Sequence, residues 1–305
     1  MAFVPAVDDF PYYLSEEAHI TIHHSTYGAL SATVVRPLRP RTVTHLVLAR
    51  LTQTANHCPL PIGLHFVMKV FDSRFIYRRV PSSDDIPWTL AAERRGWEMY
   101  RRDPMPDPPT TARNSKLNQP HGGDEDEGIP PDPAYVWERY YCAVMDAAFL
   151  AERSVYSRLS SLQGSAVPIF YGDGVLDLSK TTPPRAYNPP VILIEYISDA
   201  VTLRDIAAHL LTRSAMQSMI NAVDRINANE VLLTDVNPGN FLFTPAHRPT
   251  RAVAIDFADA RVRTFEDSRH WEELIDMYWA TPTVRRWMRT RYEDMGMPVP
   301  QLVQK

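Results

Sequence analysis

Between Val231 and Ala260 the chain reads V-L-L-T-D-V-N-P-G-N-F-L-F, then a short polar connection, then A-V-A-I-D-F-A-D-A. Two apolar, β-prone runs, Phe241 to Phe243 and Ala252 to Ile255, flank a turn-rich segment from Thr244 to Arg251, and this pattern predicts a hairpin. A hairpin constrains where its polar flanks go. Asp235 precedes the first strand, Asn240 sits at its edge and Asp256 ends the second, so two carboxylates and an amide converge at one end of a small sheet. Such oxygen donors suit a hard cation such as Mg²⁺, which leaves room for phosphate oxygens. The same letters also read as a plain turn, because Asp, Asn, Pro and Gly are the common turn formers.

The chain is long enough, at 305 residues, for two lobes or one domain with insertions. Its hydrophobic content of 45% and charged content of 22% are those of a globular protein, and the net charge of −4 gives no support for nucleic-acid binding. The start, M-A-F-V-P-A-V-D-D-F-P, lacks a basic segment followed by an apolar core, and no apolar run is long enough to span a bilayer, so a cytoplasmic setting is expected. Cys58 and Cys142 are far apart and outside C-x-x-C spacing, which argues against a disulfide framework or a zinc site.

Taken in order, residues 1 to 18 read as an arm carrying Tyr12 and Tyr13. Ile20 to Val35 predicts two strands around a turn near Thr26 to Leu30, followed by a further strand at Thr44 to Leu51 or at Leu64 to Phe71. In the second of these Lys69 lies inside an apolar run, where a cation is costly without an anionic partner. A helix is expected over 86 to 102. From Pro104 to Pro133 eight prolines and the acidic run Asp124 to Glu127 predict a disordered insertion, since so little apolar surface cannot offset chain entropy. Ala134 to Leu162 reads as a helix bearing Glu152 close to its apolar stripe. The dense run V-I-L-I-E-Y-I is a buried strand, Thr202 is placed to cap a helix after it, and helices follow over Ser214 to Asn229 and Ser268 to Arg291.

Lys69, Glu152, Glu195-Tyr196-Ile197, the D-x-x-x-x-N of Asp235 to Asn240, and Ile255-Asp256-Phe257 occur in that order. This set resembles the protein-kinase-like superfamily, in particular fungal kinase-like proteins and aminoglycoside and choline phosphotransferases. The resemblance spans roughly residues 20 to 280, with detailed match in about five short motifs. It implies an α+β, bilobal protein-kinase-like fold with a β-rich N-lobe and a small, mostly helical C-lobe. The divisions it implies are an arm at 1–19, an N-lobe with hinge at 20–197 and a minimal C-lobe at 198–305. It further implies ATP and Mg²⁺ as ligands and phosphoryl transfer to a hydroxyl of a protein or small molecule. Lys69 would hold phosphates, Glu152 would pair with it, Gly28 would belong to the phosphate loop, and Ile194, Glu195 and Ile197 would line the adenine. Asp235 would be the catalytic base, with Asn240 and Asp256 binding Mg²⁺.

Three departures are visible. Leu233 stands where a histidine would support the catalytic loop, Gly28 is the only glycine of the phosphate loop, and Ala258 replaces the glycine after Asp256-Phe257. They support a second reading, a pseudokinase acting as a nucleotide-binding or interaction module. His23-His24 are strand neighbours that face opposite ways and so cannot readily share a metal, and they read as surface or loop residues. The arginines and tryptophans of residues 279 to 292 read as a packed terminal helix with exposed charges.

Overall fold

The alternation of apolar and polar residues in I-T-I-H-H and A-L-S-A-T-V-V produces the first hairpin, β1 (His19–His24) and β2 (Gly28–Leu38), paired antiparallel with Ile22 opposite Leu30. β1 buries alternate residues, Ile20, Ile22 and His24. Both segments proposed for the next strand form one, β3 (His45–Gln53) and β4 (His65–Val70), and these pair antiparallel with Leu46 opposite Lys69. The computed structural model describes residues 11–38, 44–55, 57–76, 88–104, 133–182, 184–264, 267–278, 280–294 and 296. Residues 105–132 of the insertion expected over 104–133, and residues 1–10 of the N-terminal arm, lie outside these residues.

The sheet does not stay open. β5 (Phe170–Leu176) pairs antiparallel with β1, Ile22 against Leu176 and His24 against Gly174, and β6 (Pro190–Glu195) lies between β4 and β5. The resulting order, β1-β2-β3-β4-β6-β5, closes a six-stranded barrel. β6 is buried over four consecutive residues, Val191 to Ile194, which explains why its sequence is continuously apolar.

Helix α1 (Leu90–Arg102) starts four residues later than expected. Thr89 caps it, its Oγ1 accepting from the Ala92 N–H at 3.1 Å. α2 (Ala134–Arg158) matches the long helical stretch. Thr202 caps no helix. It ends the two-residue strand β7 (Val201–Thr202), and its Oγ1 closes a turn by accepting from the Asp205 N–H at 3.2 Å. α3 (Arg213–Ala228) is capped by Thr212 and leads to β8 (Val231–Leu232). The expected hairpin is β9 (Phe241–Thr244) with β10 (Arg251–Ala254), Phe243 opposite Ala252. It joins β7 in a three-stranded sheet, while β11 (Arg261–Val262) pairs with β8. The final helical stretch divides into α4 (Ser268–Tyr278) and α5 (Ala280–Asp294).

This architecture corrects the expected bilobal kinase-like fold. A closed six-stranded barrel takes the place of a β-rich N-lobe, and the C-terminal part interleaves two further small sheets with its helices rather than being mostly helical. The chain divides into two compact units, one of Met1–Phe149 with Gly172–Leu193, the other of Leu150–Tyr171 with Ile194–Lys305. Among the described residues no helix is long and apolar enough to cross a membrane.

The first unit is held partly by buried charge. Asp72, just after β4, accepts from Arg185 Nη1 at 2.9 Å and Nη2 at 3.1 Å, and from Arg74 Nη2 at 3.0 Å. Arg185 Nε also reaches Glu93 of α1 at 2.8 and 3.1 Å. The Tyr13 hydroxyl of the N-terminal arm donates to Asp72 at 2.5 Å. Two cations thus face two carboxylates with most hydrogen-bond sites filled, the condition under which buried ions are tolerated. Burial alone would push the Asp72 carboxyl up, but Arg185 and then Arg74 overcome this and hold it well below the usual carboxylate range.

Candidate functional site

The loop between β8 and β9 turns because of its own residues. Asn237 caps a short 3-10 turn at Pro238–Asn240, its Oδ1 accepting from the Gly239 N–H at 2.8 Å. A Cβ at Gly239 would sit 3.0 Å from that oxygen and 3.1 Å from an Arg204 nitrogen, so the position has little room for a side chain. The turn brings both amides back to Asp235. Asn237 Nδ2 donates to Asp235 Oδ2 at 3.0 Å, and Asn240 Nδ2 donates to the same oxygen at 3.1 Å and to the Asp235 carbonyl at 3.2 Å. Asp235 is exposed and Asn240 buried.

Asp256 belongs to the same assembly. The Ile255 N–H donates to the Asn240 carbonyl at 2.9 Å, which ties the end of β10 to the turn. Asp256 then adopts φ of 65°, the left-handed region that side chains other than glycine seldom enter, and is half-buried. Thr234 Oγ1 donates to the Asp259 carbonyl and links the two segments a second time. Within the second unit, Asn240 is thus bonded to Asp235 by its side chain and to Ile255, the neighbour of Asp256, by its carbonyl.

Tyr156 of α2 packs against Phe257, the residue that follows Asp256. Tyr156 is fully buried, stacks on Phe170 at 5.2 Å and 11°, and meets Phe257 edge-on at 5.4 Å. Its hydroxyl has no hydrogen-bond partner among the described residues. Burial first, then the negative charges of Glu152 and Asp256, push its phenol well above the ordinary value. Its four-residue spacing from Glu152 is the sequence signal that puts both on one helix face. Glu152 itself is fully buried.

The remaining expected positions are distributed. Lys69 is buried on β4 in the first unit, with its ammonium 5.5 Å from the Phe71 ring centroid, whereas Glu152 belongs to the second unit. Gly28 opens β2 with φ of +75°, a conformation that glycine adopts without Cβ strain. Ile194 is buried and Ile197 half-buried. The Glu195 backbone N–H donates to the Ile169 carbonyl at 2.8 Å, and its carboxylate accepts from the Ile169 N–H at 3.0 Å. That N–H is therefore engaged within the second unit. Leu233 is buried with 6% exposure, as its apolar side chain favours. His23 is exposed as expected, but His24 is not a surface residue: it is buried, with Nδ1 accepting from the Thr26 and Tyr27 N–H groups at 3.0 and 3.3 Å.

Among the described residues no group of three or more His, Cys, Asp or Glu side chains is arranged to hold a metal. The oxygen-bearing side chains at the loop beside Asp235 are those of Asn240 and Asp256. Comparison of the chain with family models and with curated proteins finds no match.

Proposed function

We propose that the Asp235 to Asp256 assembly is a phosphoryl-transfer centre, using ATP as substrate and a hydroxyl of a protein or small molecule as acceptor. The observation that carries this reading is the orientation of Asp235. Two amide N–H groups converge on its Oδ2, while Oδ1 receives no hydrogen bond from any described residue and remains available as an acceptor. Asp235 Oδ1 takes the proton of the acceptor hydroxyl as the hydroxyl oxygen bonds to the γ-phosphorus and the bond from phosphorus to the ADP oxygen breaks. Asn240 ties the base to the end of β10, so the base and the Asp256 carboxylate are positioned together before substrate arrives. Asn240 and Asp256 would hold Mg²⁺, which when bound neutralises phosphate charge. The chemistry belongs to the loop rather than to the fold around it, and the same chemistry recurs on unrelated architectures.

Leu233, buried where a histidine would support the catalytic loop, favours a second reading, a module that binds nucleotide without transferring phosphate. One experiment separates the two. Purified protein is incubated with γ-labelled ATP and Mg²⁺, following label transfer, phosphate release and thermal shift, alongside Asp235→Asn. Transfer that falls by roughly 10²–10⁴-fold in the variant is the expected result for a lost general base. Nucleotide-dependent stabilisation without transfer points to the second reading. The absence of any nucleotide-dependent shift refutes both.

A further inference from the structure

The second unit carries a cleft of about 410 Å³ lined wholly by its own residues. One wall is α3, where Ser218, Asn221 and Arg225 follow at spacings of three and four and so share a helix face. The other wall includes Arg251 and Ala252 of β10. Hydrogen bonds hold these walls in place. The Ala252 N–H donates to Ser218 Oγ at 3.0 Å, the Ala254 N–H to the Ala166 carbonyl at 2.8 Å, and Arg251 Nη1 to the Gly164 carbonyl at 2.5 Å. β10 is an edge strand of its sheet, so the first two bonds satisfy N–H groups that the ladder leaves open.

The charged lining is of one sign. Arg251 is half-buried and Arg225 exposed, and neither pairs with a carboxylate among the described residues. No aspartate or glutamate lines the cleft. Asp224, next to Arg225 in the chain, is not a lining residue, and its Oδ1 accepts the Thr281 hydroxyl at 2.9 Å. The neutral groups add donors. Ser218 Oγ accepts from Ala252, while its own hydroxyl proton goes to no described residue. Asn221 Oδ1 accepts from Gln217 Nε2 at 3.0 Å, and Asn221 Nδ2 donates to no described residue.

We propose that this cleft binds a small, hydroxyl-bearing phosphate monoester. Two guanidinium groups balance the charge of a dianion, and their planar forks match phosphate oxygens. The Ser218 hydroxyl and the Asn221 amide supply further donors, whereas a cation would meet two arginines and a neutral ligand would gain only uncharged hydrogen bonds. The size falls within the range of small-molecule sites, which leaves room for more than a bare phosphate. The lining has no aromatic ring and no large apolar side chain, so the body of the ligand is polar. Asp235, Asn240 and Asp256 take no part in the lining, so this site stands independently of the phosphoryl-transfer reading.

The test uses the full chain in magnesium-free buffer, titrated calorimetrically with glucose 6-phosphate, glucose, glucosamine and inorganic phosphate. The ester is expected to bind about tenfold or more tightly than glucose, the scale of one charge-assisted hydrogen bond. Glucosamine, a cation of the same shape, is expected not to bind, and inorganic phosphate, which lacks the sugar, to bind about tenfold more weakly than the ester. Arg225→Gln and Arg251→Gln each remove one guanidinium, and each should weaken the ester about tenfold while leaving glucose unchanged. Thermal melting checks that both variants are folded. Equal binding of ester and glucose overturns the proposal. So does binding of glucosamine or inorganic phosphate as tightly as the ester, no ester binding up to about 10 mM, or an ester affinity unmoved in both folded variants.

Discussion

Replacing Arg185 by methionine removes a cation that bonds both Asp72 and Glu93. Its side chain is 1% exposed and both carboxylates are 0% exposed, so water does not take the place of the lost bonds. Four hydrogen bonds of 2.8 to 3.1 Å disappear, Glu93 loses its ion-pair partner at Nε, and Asp72 keeps Arg74 at 3.0 Å. Breaking a buried pair from one side costs about 3–5 kcal/mol, because the partner charges stay buried. The assay is urea denaturation of the full chain, with Trp88, Trp97 and Trp137 reporting on the first unit. The sign with pH follows from Asp72. Its folded pKa lies below the unfolded one, so the native state binds fewer protons, and the stabilisation is fully present above the unfolded value of about 3.9 and is lost as pH falls through the folded value. Loss of Arg185 raises the folded pKa, so the gap between wild type and variant should be widest near neutrality and narrow below about pH 4. Adding Glu93→Leu should recover part of the loss, since an apolar side chain of similar size leaves no orphaned charge. A loss under about 1 kcal/mol, or a gap constant from pH 7 to pH 3, would refute the assignment of these charges to Arg185.

Gly96 lies where α1 meets α2, and a Cβ there would stand 2.7 Å from the Glu138 Cβ and 2.8 Å from the Arg139 nitrogen and the Tyr135 carbonyl oxygen. Overpacking of about 1–3 kcal/mol should exceed the gain of about 1 kcal/mol from helix propensity, so Gly96→Ala should lower the Tm of the chain in a calorimetric scan. Tyr156→Phe removes a buried hydroxyl that has no partner among the described residues, and should leave urea stability unchanged or raise it by about 1 kcal/mol. Burial pushes the Cys142 thiol up to about 12, so at pH 8 its thiolate is roughly one part in ten thousand. Iodoacetamide applied to the native protein should therefore modify the half-buried Cys58 and spare Cys142, as read by peptide mass spectrometry. Asn240→Ala removes the amide that bonds Asp235 twice, and should reduce label transfer from ATP about tenfold or more while changing Tm by only a few degrees.

Local sequence determined the parts that depend on neighbours in the chain. The alternation around Thr26 to Leu30 and around Thr244 to Arg251 specified both hairpins, since a period of two selects a half-buried strand and the turn residues fix where it reverses. Asn237, Pro238 and Gly239 folded their own turn, and thereby set Asn240 against Asp235. Thr202 shows the limit of that logic. A threonine before L-R-D-I-A-A resembles a helix cap, but pairing with Leu242, forty residues away, made it the end of a strand. The barrel is of the same kind. Whether the sheet closes depends on Ile22 to His24 meeting Gly174 to Leu176, a partnership across about 150 residues that no local period encodes. Arg185 lies in a proline-rich segment, and only the approach of Asp72 and Glu93 from two other parts of the chain makes its burial tolerable. Periodicity and turn chemistry act over a few residues, and they chose the strands, the helices and the Asp235 loop. Which strands close a sheet, and which charges are buried together, is set by contacts between distant segments, and only the tertiary structure decided those.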